Sequence, residues 1–229
     1  KRASRATSEG IIVVKTADSK AVIAELTCET DFVAKNADFI AVGDKIAETA
    51  LAKGYTDVQQ ELSDMVLDLA TRVRENMSLR RLTAVQAGSD EYIAHYVHSD
   101  KKTGVIVMLK SDKSDVFADK TFQDFAYDCC LHAAAFTPLY VKKEDVDAAY
   151  IDEQLEVFRG QVAELQKPDN VKEGIVKGKL NKHLAEICFL EQAFVKDDKV
   201  SVAAKMKEVG KQLDTNISLS KLVLWQLGQ

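Results

Sequence analysis

Asn76-Met77-Ser78-Leu79-Arg80-Arg81-Leu82-Thr83-Ala84-Val85-Gln86-Ala87-Gly88 decides how this chain is read, because the stretch is written twice. The second copy, Asn216-Ile217-Ser218-Leu219-Ser220-Lys221-Leu222-Val223-Leu224-Trp225-Gln226-Leu227-Gly228, lies 140 residues further on. It keeps the Asn, the Ser, both Leu, the Gln and the Gly. Each copy reads as a return strand that closes a small sheet.

Upstream of each copy stands a β-hairpin pattern. In the first, Ile11, Val13, Val22 and Ile23 supply β-branched residues around a turn at Asp18-Ser19-Lys20. In the second, Tyr92 to Leu109 runs around Ser99-Asp100-Lys101-Lys102. Glu9 and Asp18 match Glu91 and Asp100 at an offset of 82, and Val22, Ile23 and Leu26 match Val105, Ile106 and Leu109 at 83. Both halves therefore run hairpin, helices, return strand. This predicts an α+β chain of two duplicated subdomains, residues 10–89 and 90–229, each a small antiparallel sheet with helices on one face.

The offset grows from 83 to 140, so the second half carries 57 more residues than the first. A helical hairpin at about 141–196 accounts for them. Ile151, Leu155, Phe158, Val162 and Leu165 are spaced 4, 3, 4, 3, the seam of a coiled coil, and Val176, Leu180, Leu184 and Ile187 form the answering stripe. Lys167-Pro168-Asp169 breaks the first helix, and Pro168 suits the opening turn of the second. Elsewhere Phe39, Val42, Ile46 and Ala50 make one apolar helix face, and Leu62, Met65, Val66, Leu69 and Val73 the next. Thr56 with Gln59 has capping-box spacing at the start of that helix. Val116 to Ala135 reads as a third helical region, and Val202, Met206, Val209 and Leu213 as a last helix.

Composition narrows the function. Of 229 residues, 46% are hydrophobic, enough for a packed core. The net charge of -5 gives no electrostatic footprint for direct nucleic-acid binding. The longest apolar runs are four or five residues, far short of the roughly 20 that cross a bilayer. Cys28, Cys129, Cys130 and Cys188 match no zinc spacing and are expected to be reduced and buried, as in a cytosolic or organellar-matrix protein. The chain opens with Lys1, so the natural N-terminus and any targeting segment are expected to lie upstream. There is no Walker-type loop and no Gly-x-Ser-x-Gly elbow. His95, His98, His132 and His183 form no i,i+4 metal pair. Covalent catalysis is disfavoured, no cofactor is implied, and the residues alone point to a binding or regulatory protein.

One junction stands apart: Glu25-Leu26-Thr27-Cys28-Glu29-Thr30-Asp31-Phe32-Val33-Ala34-Lys35-Asn36, where a strand runs into a helix capped by Thr30 or Asp31. Its wording closely resembles the Thr-Asp-Phe-Val-Ala signature of the elongation factor Ts family, departing at Thr27, where that family usually has Asn. Further likenesses run along nearly the whole chain: Glu75-Asn76-Met77-Ser78-Leu79-Arg80-Arg81, His132-Ala133-Ala134-Ala135 followed by Pro138, Lys167-Pro168, Val176-Lys177-Gly178-Lys179-Leu180, and Gln192-Ala193-Phe194-Val195. Lys196 departs from an apolar residue common in relatives.

The resemblance implies a guanine nucleotide exchange factor of translation elongation, without covalent chemistry, that binds elongation factor Tu and releases its GDP. It implies a bacterial-type cytoplasmic setting, with an organellar matrix as the alternative. Asp31 and Phe32 become the contacts that disturb the Mg²⁺ and phosphate region of Tu, flanked by Thr30 and Val33. Thr103, Gly104, His132 and Val195 become further partner contacts. The family's N-terminal domain is expected to be missing, with residues 1–9 the end of the linker after it. For the arm the readings are contact with Tu, with a second copy in a dimer of Tu–Ts pairs, or none. The rival reading is a structural or oligomerisation module that kept the fold and lost exchange.

Overall fold

The computed structural model describes residues 5–229. Of the expected linker at residues 1–9, the first four, with Lys1 and Arg2, lie outside the described residues. The chain divides into two compact units, one running to Ala134 and completed by Val209–Gln229, the other Ala135–Glu208.

In the first unit, β1 (Glu9–Ala17) and β2 (Lys20–Cys28) form a hairpin closed by Asp18 and Ser19, with Asp18 at φ +51°. Asp tolerates that left-handed conformation better than most residues. After α1 (Asp31–Ala34), α2 (Ala37–Lys53) and α3 (Gln60–Val73), β3 (Met77–Gln86) returns to pair antiparallel with β2. The second sheet repeats the order: β4 (Glu91–Val97), β5 (Thr103–Ser111), then α4 (Lys120–Phe136), and at the end of the chain β8 (Ile217–Gln226), with β5 in the middle. The duplication extends to an irregularity. The β2–β3 ladder shifts register between Glu25 and Leu26, leaving Arg80 as the extra residue. The β5–β8 ladder shifts between Met108 and Leu109, leaving Ser220. These bulges sit at the same 83- and 140-residue offsets as the sequence repeat.

Alternation along the strands decides what each face touches. Ile11, Val13, Val22, Ala24 and Leu26 point to the helices and pack with Phe39 and Ile46 of α2 and Leu62, Val66 and Leu69 of α3. Ile12, Val14, Ala21 and Ile23 point the other way and pack with Ile106 and Met108 of the second sheet. The far face of that sheet meets α4, where Tyr92 lies edge-on to Phe122 at 5.4 Å. The unit is thus layered helix, sheet, sheet, helix. A strand buried on both faces must be apolar at nearly every position, which is why β2 is apolar from Ala21 to Leu26 except at Glu25.

The second unit holds α5 (Ala148–Val162) and α6 (Asp169–Ile187), followed by β6 (Ala193–Phe194), β7 (Asp197–Ser201) and most of α7 (Val202–Gln212). The two long helices run antiparallel: Tyr150 Oη and His183 Nε2 are 2.8 Å apart near one end, and Arg159 pairs with Glu173 at 3.1 Å toward the other. At the base, the Phe189 N–H donates to the Tyr140 carbonyl and Leu139 N–H to that of Ile187.

Three local expectations differ from the structure. The α3 helix starts at Gln60 with Gln59 at its N-cap and no side-chain cap, so the Thr56–Gln59 capping box does not form. Here the apolar face of Leu62, Val66 and Leu69 fixes the helix without a capped start. The region Val116 to Ala135 is split: Ser114–Ala118 is a 3₁₀ turn, and Asp119 stops it and caps the next helix by accepting from the Thr121 N–H at 2.7 Å. The seam of the arm ends at Val162; Leu165 lies beyond α5 and is 41% exposed.

Candidate functional site

The junction between β2 and α2 is built from its hydrogen bonds. Thr30 is the N-cap of α1, with extended backbone, and its Oγ1 accepts from the Val33 N–H. Its carbonyl accepts from the Ala34 N–H, and the Asn36 side chain caps α2 through the Asp38 N–H at 2.8 Å. Two carboxylates tie this loop to the segment entering β3. Glu75 accepts from the Thr30 N–H at 3.2 Å and from Thr30 Oγ1 at 2.8 Å. Glu29 accepts from the Asn76 N–H at 2.6 Å and pairs with Arg5 at 3.2 Å. Val33 and Ala34 are buried beneath.

On this fixed turn Phe32 projects outward, 84% exposed. It is the most exposed of the large apolar side chains among the described residues. Asp31, beside it, pairs with Lys35 one turn on at 2.8 Å, and that hydrogen bond holds its carboxyl below the usual aspartate range. A groove adjoins the pair, lined by Glu9, Ala34, Ile40 and the Asp100-Lys101-Lys102 turn between β4 and β5. That turn also covers the free edge of β1, whose Ile12 N–H donates to the Lys101 carbonyl at 2.6 Å.

The other expected contacts lie differently. Thr103 is half-buried at the start of β5, and its carbonyl accepts from the His98 N–H. Gly104, expected as a partner contact, has a packing role in the fold. A Cβ there would stand 2.4 Å from Ile12 Cγ2 and 3.2 Å from Ile23 Cδ1, so only glycine lets the two sheets approach this closely. His132, also expected to touch a partner, is buried within α4. Val195 is exposed, in the other compact unit. Thr27, the departure noted in the sequence, is buried, with its Oγ1 2.8 Å from Ser78 Oγ.

A network not anticipated from the sequence crosses between the two sheets. Glu25, fully buried, takes Arg80 at 2.8 Å, Arg81, and the Gly228 N–H at 2.9 Å. Arg81 also donates to the Gln226 carbonyl and lies over the Trp225 ring at 4.1 Å. Burial alone would raise the Glu25 pKa; the Gly228 N–H and the two guanidiniums outweigh it and hold the carboxyl below its ordinary value of 4.5. A signal existed. Glu25 is the one acid in an apolar strand, and its repeat mate is Met108. Among the described residues no cluster of His, Cys, Asp or Glu is placed to hold a metal, and no helix is long and apolar enough to cross a membrane. The four cysteines are unpaired and buried, and burial pushes the Cys28 thiol up to about 12.

Comparison with known proteins agrees with the junction. A family model described as elongation factor TS matches residues 29–229, from the junction to the end of β8 and beyond. The elongation factor Ts of Treponema denticola is 71% identical over 228 residues, covering 100% of this chain and 81% of the relative. That of Treponema pallidum (strain Nichols) is 56% identical over 238 residues, covering 99% and 82%. That of Borrelia recurrentis is 38% identical over 231 residues, covering 100% and 82%. The chain belongs to the elongation factor Ts family of translation elongation factors.

Proposed function

We propose that the chain binds elongation factor Tu in its GDP form and hastens the loss of GDP, so that GTP can take its place during translation elongation in the bacterial cytoplasm. The observation that carries this reading is Phe32, a large apolar ring held 84% in water on a rigid turn. Left alone, such a ring costs solvation; inserted into an apolar pocket on a partner, it contributes about 1.5–3 kcal/mol.

No bond is made or broken on this chain. It acts by binding nucleotide-free Tu more tightly than Tu–GDP; by linkage, it weakens GDP by the same factor by which GDP weakens it. A factor with equal affinity for both forms would release nothing. Phe32 wedges beside the Mg²⁺ and phosphate region of Tu, and Asp31 acts at the same edge. Mg²⁺ tolerates little departure from octahedral geometry, so a small displacement of its surroundings loosens the ion and leaves the phosphates without their counter-charge. Asp31 is already held by Lys35, so that ion pair is shared or exchanged when Tu docks.

The test is capture of purified Tu on the immobilised chain, with and without excess GDP. An exchange factor captures nucleotide-free Tu, and GDP elutes it. Capture that GDP leaves untouched, or no capture, would return the chain to a structural module that kept only the fold.

A further inference from the structure

The exposed ring is held in place from a distance of more than forty residues in sequence. Phe32 itself makes little contact with the body of the protein, so its direction is set by the backbone on either side. On the C-terminal side that backbone is anchored by the buried Val33 and Ala34. On the N-terminal side it is anchored by Thr30, whose N–H and hydroxyl are both taken by the carboxylate of Glu75. The same Oγ1 accepts from the Val33 N–H, so Glu75, Thr30 and Val33 form one chain of hydrogen bonds that passes around Phe32. A four-residue helix is far below the length that is stable alone, so α1 depends on such outside support. Glu75 is delivered by Arg74, which ends α3 at φ +66° with its N–H on the Ala70 carbonyl and turns the chain toward β3. The neighbouring Glu29–Asn76 bond runs the opposite way between the same two segments, so the two carboxylates form a reciprocal clamp.

We infer that Glu75 is the positioning residue for Phe32. It touches no partner itself; it fixes the Thr30 cap, and through it the angle at which the ring meets Tu. Free of the clamp, the α1 turn frays and the ring samples directions that miss the pocket. Loss of a supporting group that lets a functional side chain drift by about 1 Å can cost up to about a hundredfold in rate. The inference rests on the role proposed above for Phe32 and assigns the residue that makes that role effective.

The experiment measures release of a fluorescent GDP analogue from Tu by the full chain carrying Glu75→Ala, Glu75→Gln, Phe32→Leu, Phe32→Ala and the pair Phe32→Leu/Glu75→Ala. Thermal melts and amide hydrogen exchange accompany each variant. Glu75→Ala is expected to slow stimulated release by roughly 10- to 100-fold. Glu75→Gln, which keeps one acceptor oxygen, falls between it and the parent. In the Phe32→Leu background, which retains part of an apolar side chain, Glu75→Ala adds much less than it costs in the parent. The Val33 and Ala34 amides, both bonded to Thr30, exchange faster in Glu75→Ala while those of β2 do not. A Glu75→Ala protein that releases GDP at the parent rate overturns the inference, as does one that loses the same factor in both backgrounds, since a general loss of structure does not depend on residue 32. If Phe32→Leu and Phe32→Ala both leave release at the parent rate, the exchange reading of Phe32 fails, and this inference with it; slow Phe32 variants beside a fast Glu75→Ala sink the inference alone.

Discussion

Replacing Phe32 by alanine should leave the melting temperature almost unchanged and remove most of the stimulation of GDP release. With 84% of the residue exposed, only about a sixth of its surface is buried against the protein. For a phenylalanine of roughly 200 Å² this is about 30 Å², worth at most about 0.8 kcal/mol of stability. In a chain of this size that lowers Tm by roughly 2–3 °C. Phe39, seven residues on and 0% exposed, is the internal control. Phe39→Ala empties a core site and should cost about 3–5 kcal/mol. The effect on release runs the other way. If the ring buries itself in Tu, its loss forfeits about 1.5–3 kcal/mol of contact made in the nucleotide-releasing complex, or roughly 10- to 150-fold in rate. Stopped-flow release of a fluorescent GDP analogue, beside a thermal melt of each variant, measures both quantities. A Phe32→Ala protein that melts like the parent and still accelerates release fully would refute the mechanism. One that melts as low as Phe39→Ala would refute the exposed placement of the ring.

Glu25→Gln should destabilise the protein by roughly 3 kcal/mol at neutral pH, because it leaves two guanidiniums without their buried acid. The Glu25 pKa is lowered in the fold, so its contribution is complete above the unfolded value near 4.5 and disappears as pH falls through the lower folded value. The stability gap between parent and variant, read from urea midpoints, should therefore close in acid; a gap that persists to the lowest pH at which both fold counts against the network. Gly104→Ala should cost about 1–3 kcal/mol, since the new methyl lands 2.4 Å from Ile12 Cγ2; an unmoved urea midpoint would contradict the packing role. His132→Ala should lower stability by about 1–3 kcal/mol while binding of Tu per folded molecule is unchanged; weaker binding without lower stability would restore the contact reading.

What could be read from the sequence followed from repetition. The two hairpins and their return strands were placed by offsets between matched residues, and the structure repeats even the bulges after Glu25 and Met108 at those offsets. Phe32 was legible as a ring at a strand-to-helix junction, though its exposure was not, because a capped helix start followed by a core phenylalanine has the same spelling. Gly104 and His132 show where spelling runs out. Whether a glycine makes room or makes contact depends on a strand nearly a hundred residues earlier, and whether a histidine on a helix faces water depends on what lies across from it. Glu25 was hidden because its partners are split between β3 and the last residues of the chain. The Thr56–Gln59 pattern had capping-box spacing, but packing of the α3 face fixed the helix start three residues later.

The two sheets differ in when they can be finished. The three strands of the first are complete once Gln86 has been made. The second has its hairpin by Ser111 but lacks its third strand until Ile217 to Gln226 appear. At about 5–20 residues per second, the intervening hundred or so residues take roughly 5–20 s to synthesise. Throughout that interval the β5 edge has no partner, and Glu25 lies beside Arg80 and Arg81 without the Gly228 amide that completes its shell. A nascent chain of this protein therefore carries an open strand edge for seconds, the kind of edge to which other chains add, and the last dozen residues close it.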